Sequence, residues 1–180
     1  MVEKDKYLIE NGNGVKKKKC NFATENKYRK QESNLLIIKI KSMKENINDI
    51  QLTEHFSLGE FCNPNKYPDN VPTMQAVANM TYGCLMLLEP ARLEVGPILI
   101  NSGYRNSRVN SLVGGVSNSQ HLIGQAADIR PQDPAQLQRL VAFLKSCEHT
   151  DQLLTAPTWL HVSWSPFAPP RRFVRIGYYK

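Results

Sequence analysis

The stretch SNSQHLIGQAADIRP, residues 117–131, decides how this chain is read. Gly124 interrupts it, so His121 falls in a loop ahead of a turn. Ala126 to Ile129 is a short apolar run that predicts a strand, with one charge, Asp128, inside it. A loop and the strand after it can bring His121 and Asp128 to one place. A charge in an apolar strand is costly unless it is paired or metal-bound. Asp128 can instead cap a turn or pair with Arg105 or Arg130. Downstream, TWLHVSW at 158–164 predicts a second strand. Alternation there puts Trp159, His161 and Ser163 on one face and Leu160, Val162 and Trp164 on the other.

Working outward, the remaining elements follow from caps, periodicity and breakers. Ser57-Leu58-Gly59-Glu60 is a capping box, with Phe56 and Phe61 in the staple positions. Residues 63–72 are a loop rich in Pro and Asn. Thr73 is the N-cap of a long helix whose buried stripe is Val77, Met80, Cys84, Leu87 and Leu88. Pro90 should kink or end it, because proline lacks an amide donor and clashes with the preceding turn. Pro97 to Ile100 predicts a buried strand, and Asn106 to Val113 a short helix closed by Gly114-Gly115. Asp133-Pro134 opens a helix to about Cys147 with Leu137, Leu140, Val141 and Leu144 on its core face. Strands at 152–155, 159–164 and 173–179 complete the chain. Helices mixed with largely hairpin-linked strands predict one α+β domain: a small, mainly antiparallel sheet with helices packed on one side.

His121, Asp128 and His161 make a suitable donor set for a catalytic zinc, with three protein ligands and an open position for water. Such a metal lowers the pKa of bound water to about 7 and polarises a carbonyl. Two His and one carboxylate also make the facial triad of non-haem iron oxygenases, but the seven-residue step from His121 to Asp128 disfavours that. Cys20, Cys62, Cys84 and Cys147 lie in separate segments without a C-x-x-C spacing, which argues against a zinc knuckle or thioredoxin motif. Cys84 and Cys147 fall on apolar helix faces and are expected to be buried thiols.

The formal charge of the 180 residues is +7. Residues 1–44 hold 12 Lys and Arg against 5 Asp and Glu, whereas residues 45–180 hold 11 of each. The excess therefore belongs to a basic tail over 1–44, expected to be disordered. The composition break beside Met43 also fits an upstream extension. The neutral remainder, 45–180, is the expected domain, and nothing in its charge calls for a nucleic-acid partner. The longest apolar run, Leu35 to Ile38, is too short to span a bilayer. It also comes too late, without a small-residue cleavage site, to be a secretory signal. Cytoplasmic synthesis of a monomer without a membrane anchor is the expectation.

Ser119-x-His121-x-x-Gly124-x-Ala126-x-Asp128, followed by Trp159-Leu160-His161-Val162-Ser163 and preceded by Ser102-Gly103-Tyr104-Arg105, resembles the zinc D-alanyl-D-alanine carboxypeptidases (peptidase family M fifteen). The resemblance extends over roughly Leu52 to Lys180. It implies the fold shared by VanX-type dipeptidases, phage endolysins and the Hedgehog signalling domain. It also implies Zn2+ held by His121, Asp128 and His161, and a peptidoglycan peptide as substrate. Arg105 would steer that substrate through a carboxylate or peptide oxygen, and Ser119 would contact bound peptide. A surface ion pair for Arg105 and a turn hydroxyl for Ser119 are the alternatives.

Active members carry a Glu or Asp a few residues before the last zinc histidine, as general base. Here those positions read Thr155-Ala156-Pro157-Thr158-Trp159-Leu160, and no residue is assigned that role. Asp151 stands ten residues ahead of His161, and Glu89 and Glu94 could reach the site only through the fold. Two functions follow: a peptidase acting on stem peptides at or near D-alanine, or a zinc-containing module that binds cell-wall peptides or a protein without cleaving them. A wall substrate would require release from the cytoplasm.

Overall fold

The computed structural model describes residues 47–178; the basic tail expected over 1–44 lies outside them. The first helix, α1 (Leu58–Cys62), is built by its own cap. Ser57 Oγ accepts from the Glu60 amide at 3.3 Å, and Glu60 Oε2 accepts from the Ser57 amide at 2.7 Å. Phe56 and Phe61 on either side are fully buried.

Thr73 accepts from the Ala76 amide and starts α2 (Met74–Gly83). Met80, Cys84, Leu87 and Leu88 form the buried stripe, with Val77 only partly covered. Pro90 does not end this helix. The chain widens into a π-helical stretch over Cys84–Leu88 and continues as α3 (Glu89–Val95). In the π stretch the Glu89 amide reaches back to the Cys84 carbonyl, a longer loop than the α pattern. The added residue per turn shifts the ladder just where proline has no donor to offer.

Five strands form one sheet, β1 (Ile98–Ser102), β2 (Ala126–Pro131), β3 (Thr150–Thr155), β4 (Leu160–Trp164) and β5 (Phe173–Arg175), in the order β1-β2-β4-β3-β5. The β1/β2, β2/β4 and β4/β3 pairs are antiparallel, and β5 adds parallel to β3. The architecture is α+β, as expected, with a mixed sheet. The β5 strand is shorter than the expected 173–179.

Between β1 and β2 lie α4 (Ser107–Leu112), capped by Asn106, and a 3-10 turn over Gln120–Ile123. Asp133 accepts from the Ala135 amide and opens a 3-10 turn that leads into α5 (Leu137–Ser146). Leu140 and Leu144 of α5 are fully buried. They join Met80, Leu87, Leu88 and Ala91 in a core against Ala127, Ile129, Leu153, Leu160, Val162 and Trp164 of the sheet. Alternation on β2 and β4 then turns Asp128 and His161 to the opposite face. Cys62 and Cys84 are buried thiols, and burial pushes Cys62 up to about 12. Cys147 is only partly covered.

Candidate metal centre

Antiparallel pairing of β2 with β4 sets Asp128 directly opposite His161. On one face of such a pair, opposed side chains are neighbours, and His161 Nδ1 lies 2.9 Å from Asp128 Oδ1. His121 arrives from the 3-10 turn, its Nε2 lying 3.3 Å from His161 Nδ1 and 3.3 Å from Asp128 Oδ1. Gly124 makes that turn possible. Its φ is +70°, and a Cβ there would stand 2.5 Å from the Ala76 carbonyl oxygen of α2. The spacing that put His121 and Asp128 on either side of a turn thus brings both to one point.

The atoms around this point favour a cation. Gly103 O lies 2.6 Å from His121 Nδ1. A carbonyl oxygen only accepts, so Nδ1 carries the hydrogen and Nε2 presents a bare lone pair to the cluster. Burial lowers the His121 pKa more than the nearby Asp128 carboxylate raises it, which favours the neutral ring with Nε2 bare. Burial would raise the Asp128 carboxyl, yet its close contacts with the His121 and His161 rings outweigh it and hold the group ionised well below the usual carboxylate range. A tetrahedral Zn2+ with ligand bonds of about 2.0–2.1 Å needs ligand atoms roughly 3.3–3.4 Å apart. Separations of 3.3, 3.3 and 2.9 Å fit such an ion. All three side chains are buried, and no other His, Cys, Asp or Glu cluster with this capacity occurs among the described residues.

The surroundings hold this geometry from several sides. Arg105 NH2 donates to Asp128 Oδ2 at 2.5 Å, while its Nε donates to Ser102 Oγ at 2.8 Å. The guanidinium thus takes the oxygen of Asp128 that faces away from the histidines. The Arg105 amide donates to the His121 carbonyl, tying the segment after β1 to the turn. Buried Asn70 donates to the carbonyls of Cys62 and Tyr104 and accepts from the Asn106 amide.

The cluster opens into a cavity of about 620 Å³ lined by Arg105, Val116, Ser119, Gln152, Leu154, Trp159, Arg171 and Tyr178 among others. Ser119 precedes the 3-10 turn and its side chain makes no capping bond there.

Residues 68–163 match the family model described as Peptidase M15. The chain belongs to the peptidase M15 family. A 33-residue stretch, 18% of this chain, is 54% identical to a zinc D-Ala-D-Ala carboxypeptidase of Streptomyces albus G. The match covers 13% of that relative's length. Zn2+ is the cofactor that this M15 membership implies, and the His121–Asp128–His161 cluster has the chemistry to hold it.

The other acids considered in the sequence are engaged elsewhere. Glu89 binds His55 through the His55 amide and ring, and Glu94 pairs with Arg139. Asp151 lies on the same face as His161, which strand counting did not reveal. The β3/β4 register slips between Thr150 and Gln152, and this irregularity aims Asp151 at Ser163, whose hydroxyl donates to it at 3.3 Å. Its carboxylate is filled by Arg171, Gln120 and Ser163. Burial would raise this carboxyl, but bonds from Arg171 and Gln120 bring it down to about 2. A carboxylate so fully bonded is a poor proton acceptor. Asp128 is the only acid lining the cavity among the described residues. The roles of Gly103, Gln120, Asp151 and Arg171 were not legible in the sequence because they act through main-chain atoms or through partners remote in the chain.

Proposed function

We propose that this chain is a zinc peptidase hydrolysing peptidoglycan stem peptides at or near D-alanine, with His121, Asp128 and His161 as the metal ligands. The observation that carries this reading is the convergence of His121 Nε2, Asp128 Oδ1 and His161 Nδ1, all within 3.3 Å of one another, beside an open cavity. M15 membership and the name of the Streptomyces relative support it. When bound, Zn2+ lowers the pKa of water to about 7 and polarises the scissile carbonyl.

The chain's own groups do the rest. Gly103 keeps the His121 lone pair aimed inward, and Arg105 fixes the Asp128 carboxylate. Arg105 NH1, without a bonding partner among the described residues, is the donor to orient a peptide oxygen, and the Ser119 hydroxyl the one to bond the peptide backbone. Leu154 and Trp159 supply apolar wall for a small side chain such as the D-alanine methyl. Residues 45–180 form the zinc-binding domain in this proposal and the basic residues 1–44 an appendage. Protein beginning at Met43 should therefore retain stoichiometric zinc.

A second reading, peptide binding without turnover, is favoured by one observation: among the described residues the cavity offers no carboxylate besides Asp128. Incubating the zinc-loaded protein with disaccharide-pentapeptide and following D-alanine or peptide release by mass spectrometry separates the two. Product is expected from the wild type and not from His121→Ala, which should also lose zinc. Stoichiometric zinc without product, from neutral to mildly alkaline pH, would refute the peptidase and leave the binder.

A further inference from the structure

Arg171 is an arginine at the cavity wall whose position the triad does not explain. Its backbone amide donates to Asp151 Oδ1 at 2.7 Å. Its Nε lies 3.1 and 3.0 Å from the two Asp151 oxygens, and its NH2 bonds Asp151 Oδ2 at 2.5 Å and Gln120 Oε1 at 2.7 Å. The Asp151 side chain is 3% exposed, whereas that of Arg171 is 57% exposed. One edge of the guanidinium is therefore clamped to a buried carboxylate while the rest faces outward. A guanidinium carries five N–H donors, and NH1 has no bonding partner among the described residues.

The clamp separates this group from the metal cluster by a definable distance. His161 stands opposite Leu154 on β3, and Asp151 lies three residues further along that strand. With the register slip that leaves Asp151 beside Ser163, roughly 3.3 Å per residue along the strand and about 4.8 Å between strands put Asp151 on the order of 9–10 Å from His161. An extended peptide covers that distance in about three residues, at roughly 3.3–3.6 Å each. Arg105, beside Asp128, stands at the opposite, β1 side of the cluster.

We propose that Arg171 is a specificity-determining residue that takes a carboxylate carried by the substrate about three residues from the bond at the His-Asp-His cluster. The proposal rests on the peptidase or peptide-binding reading of the same cavity and assigns its ligand class: an acidic peptide. Asp151 makes the selection rigid, because it fixes the Nε–NH2 edge and leaves NH1 as the projecting donor. Lysine could serve Asp151 or the substrate carboxylate, but one ammonium cannot reproduce the fork that serves both.

The full-length zinc-loaded protein is tested with hexapeptides ending in D-Ala-D-Ala that differ only in glutamate or glutamine, placed three residues before the last peptide bond. Titration calorimetry gives Kd if the peptide stays intact, and steady-state kinetics give KM and kcat if it is cleaved. Wild type should favour the glutamate peptide by about tenfold in Kd or KM, with kcat little changed. Arg171→Lys should erase that preference while leaving zinc stoichiometry and the glutamine peptide's affinity unchanged. Equal affinity of the wild type for both peptides, or a preference that survives in Arg171→Lys, overturns this proposal and leaves the function above standing. No binding of either peptide by zinc-loaded wild type overturns both. If Arg171→Lys fails to fold, moving the glutamate next to the scissile bond decides with wild type alone. The preference must vanish there; persistence overturns the proposal.

Discussion

Replacing Gly103 by alanine probes the link between packing and metal affinity. Gly103 is buried beside α1, and a Cβ on it would stand 2.6 Å from the Cα of Phe61 and 2.6 Å from its Cδ1. Carbon atoms rest comfortably at about 3.5–4.0 Å, so the two backbones must part by about 1 Å. That movement carries the Gly103 carbonyl away from His121 Nδ1, now 2.6 Å distant. At about 3.6 Å the contact is no longer a hydrogen bond.

Two effects should follow. Overpacking should destabilise the metal-free protein by about 1–3 kcal/mol. Loss of the group orienting His121, a proposed zinc ligand, should weaken zinc binding about 10–100-fold. Circular dichroism melts of the metal-free protein measure the first, and competition with a chromophoric zinc chelator measures the second. Lowered stability with wild-type zinc affinity would refute the orienting role of the Gly103 carbonyl. Wild-type values in both would refute the close approach of Gly103 to Phe61.

Other consequences follow from the same structure. Leu160, fully buried behind His161, should cost about 2–5 kcal/mol on truncation to alanine, read from urea unfolding. Asp151, at about 2 in the folded state against about 3.9 unfolded, should contribute about 2 kcal/mol above pH ~4, lost as pH falls toward 2. High salt should reduce that contribution because Arg171 is largely exposed, and Asp151→Asn should flatten this part of the stability profile. Arg105→Ala leaves Asp128 Oδ2 without its cation; it should destabilise the metal-free protein by about 1–3 kcal/mol and weaken zinc about tenfold or more, measured by melting and chelator competition.

Much of the fold was legible because its signals are local. The Ser57–Glu60 box, the Thr73 cap and the alternation over Leu160–Trp164 depend on residues within a few positions of one another, and each stands where its pattern places it. Pro90 shows the limit of such rules. Its local cost is real, but packing of Leu87, Leu88 and Ala91 in the core accompanies a π stretch instead of a break. The parallel docking of β5 on β3 was invisible because no turn connects those strands directly.

The sequence by itself determined that His121, Asp128 and His161 are candidate ligands, since a turn glycine and strand alternation are written in short spacings. It also located the charge excess within residues 1–44, leaving 45–180 balanced. Only the tertiary structure decided how those ligands are held and what surrounds them. The Gly103 carbonyl, the Arg105–Asp128 pair and the Asp151–Arg171 clamp join atoms from separate segments, and two of them use main-chain groups. Main-chain donors and acceptors are the same at nearly every residue. Their role therefore comes from where folding places them, as with the Arg171 amide that docks on Asp151, a buried anchor on the face of the candidate metal cluster.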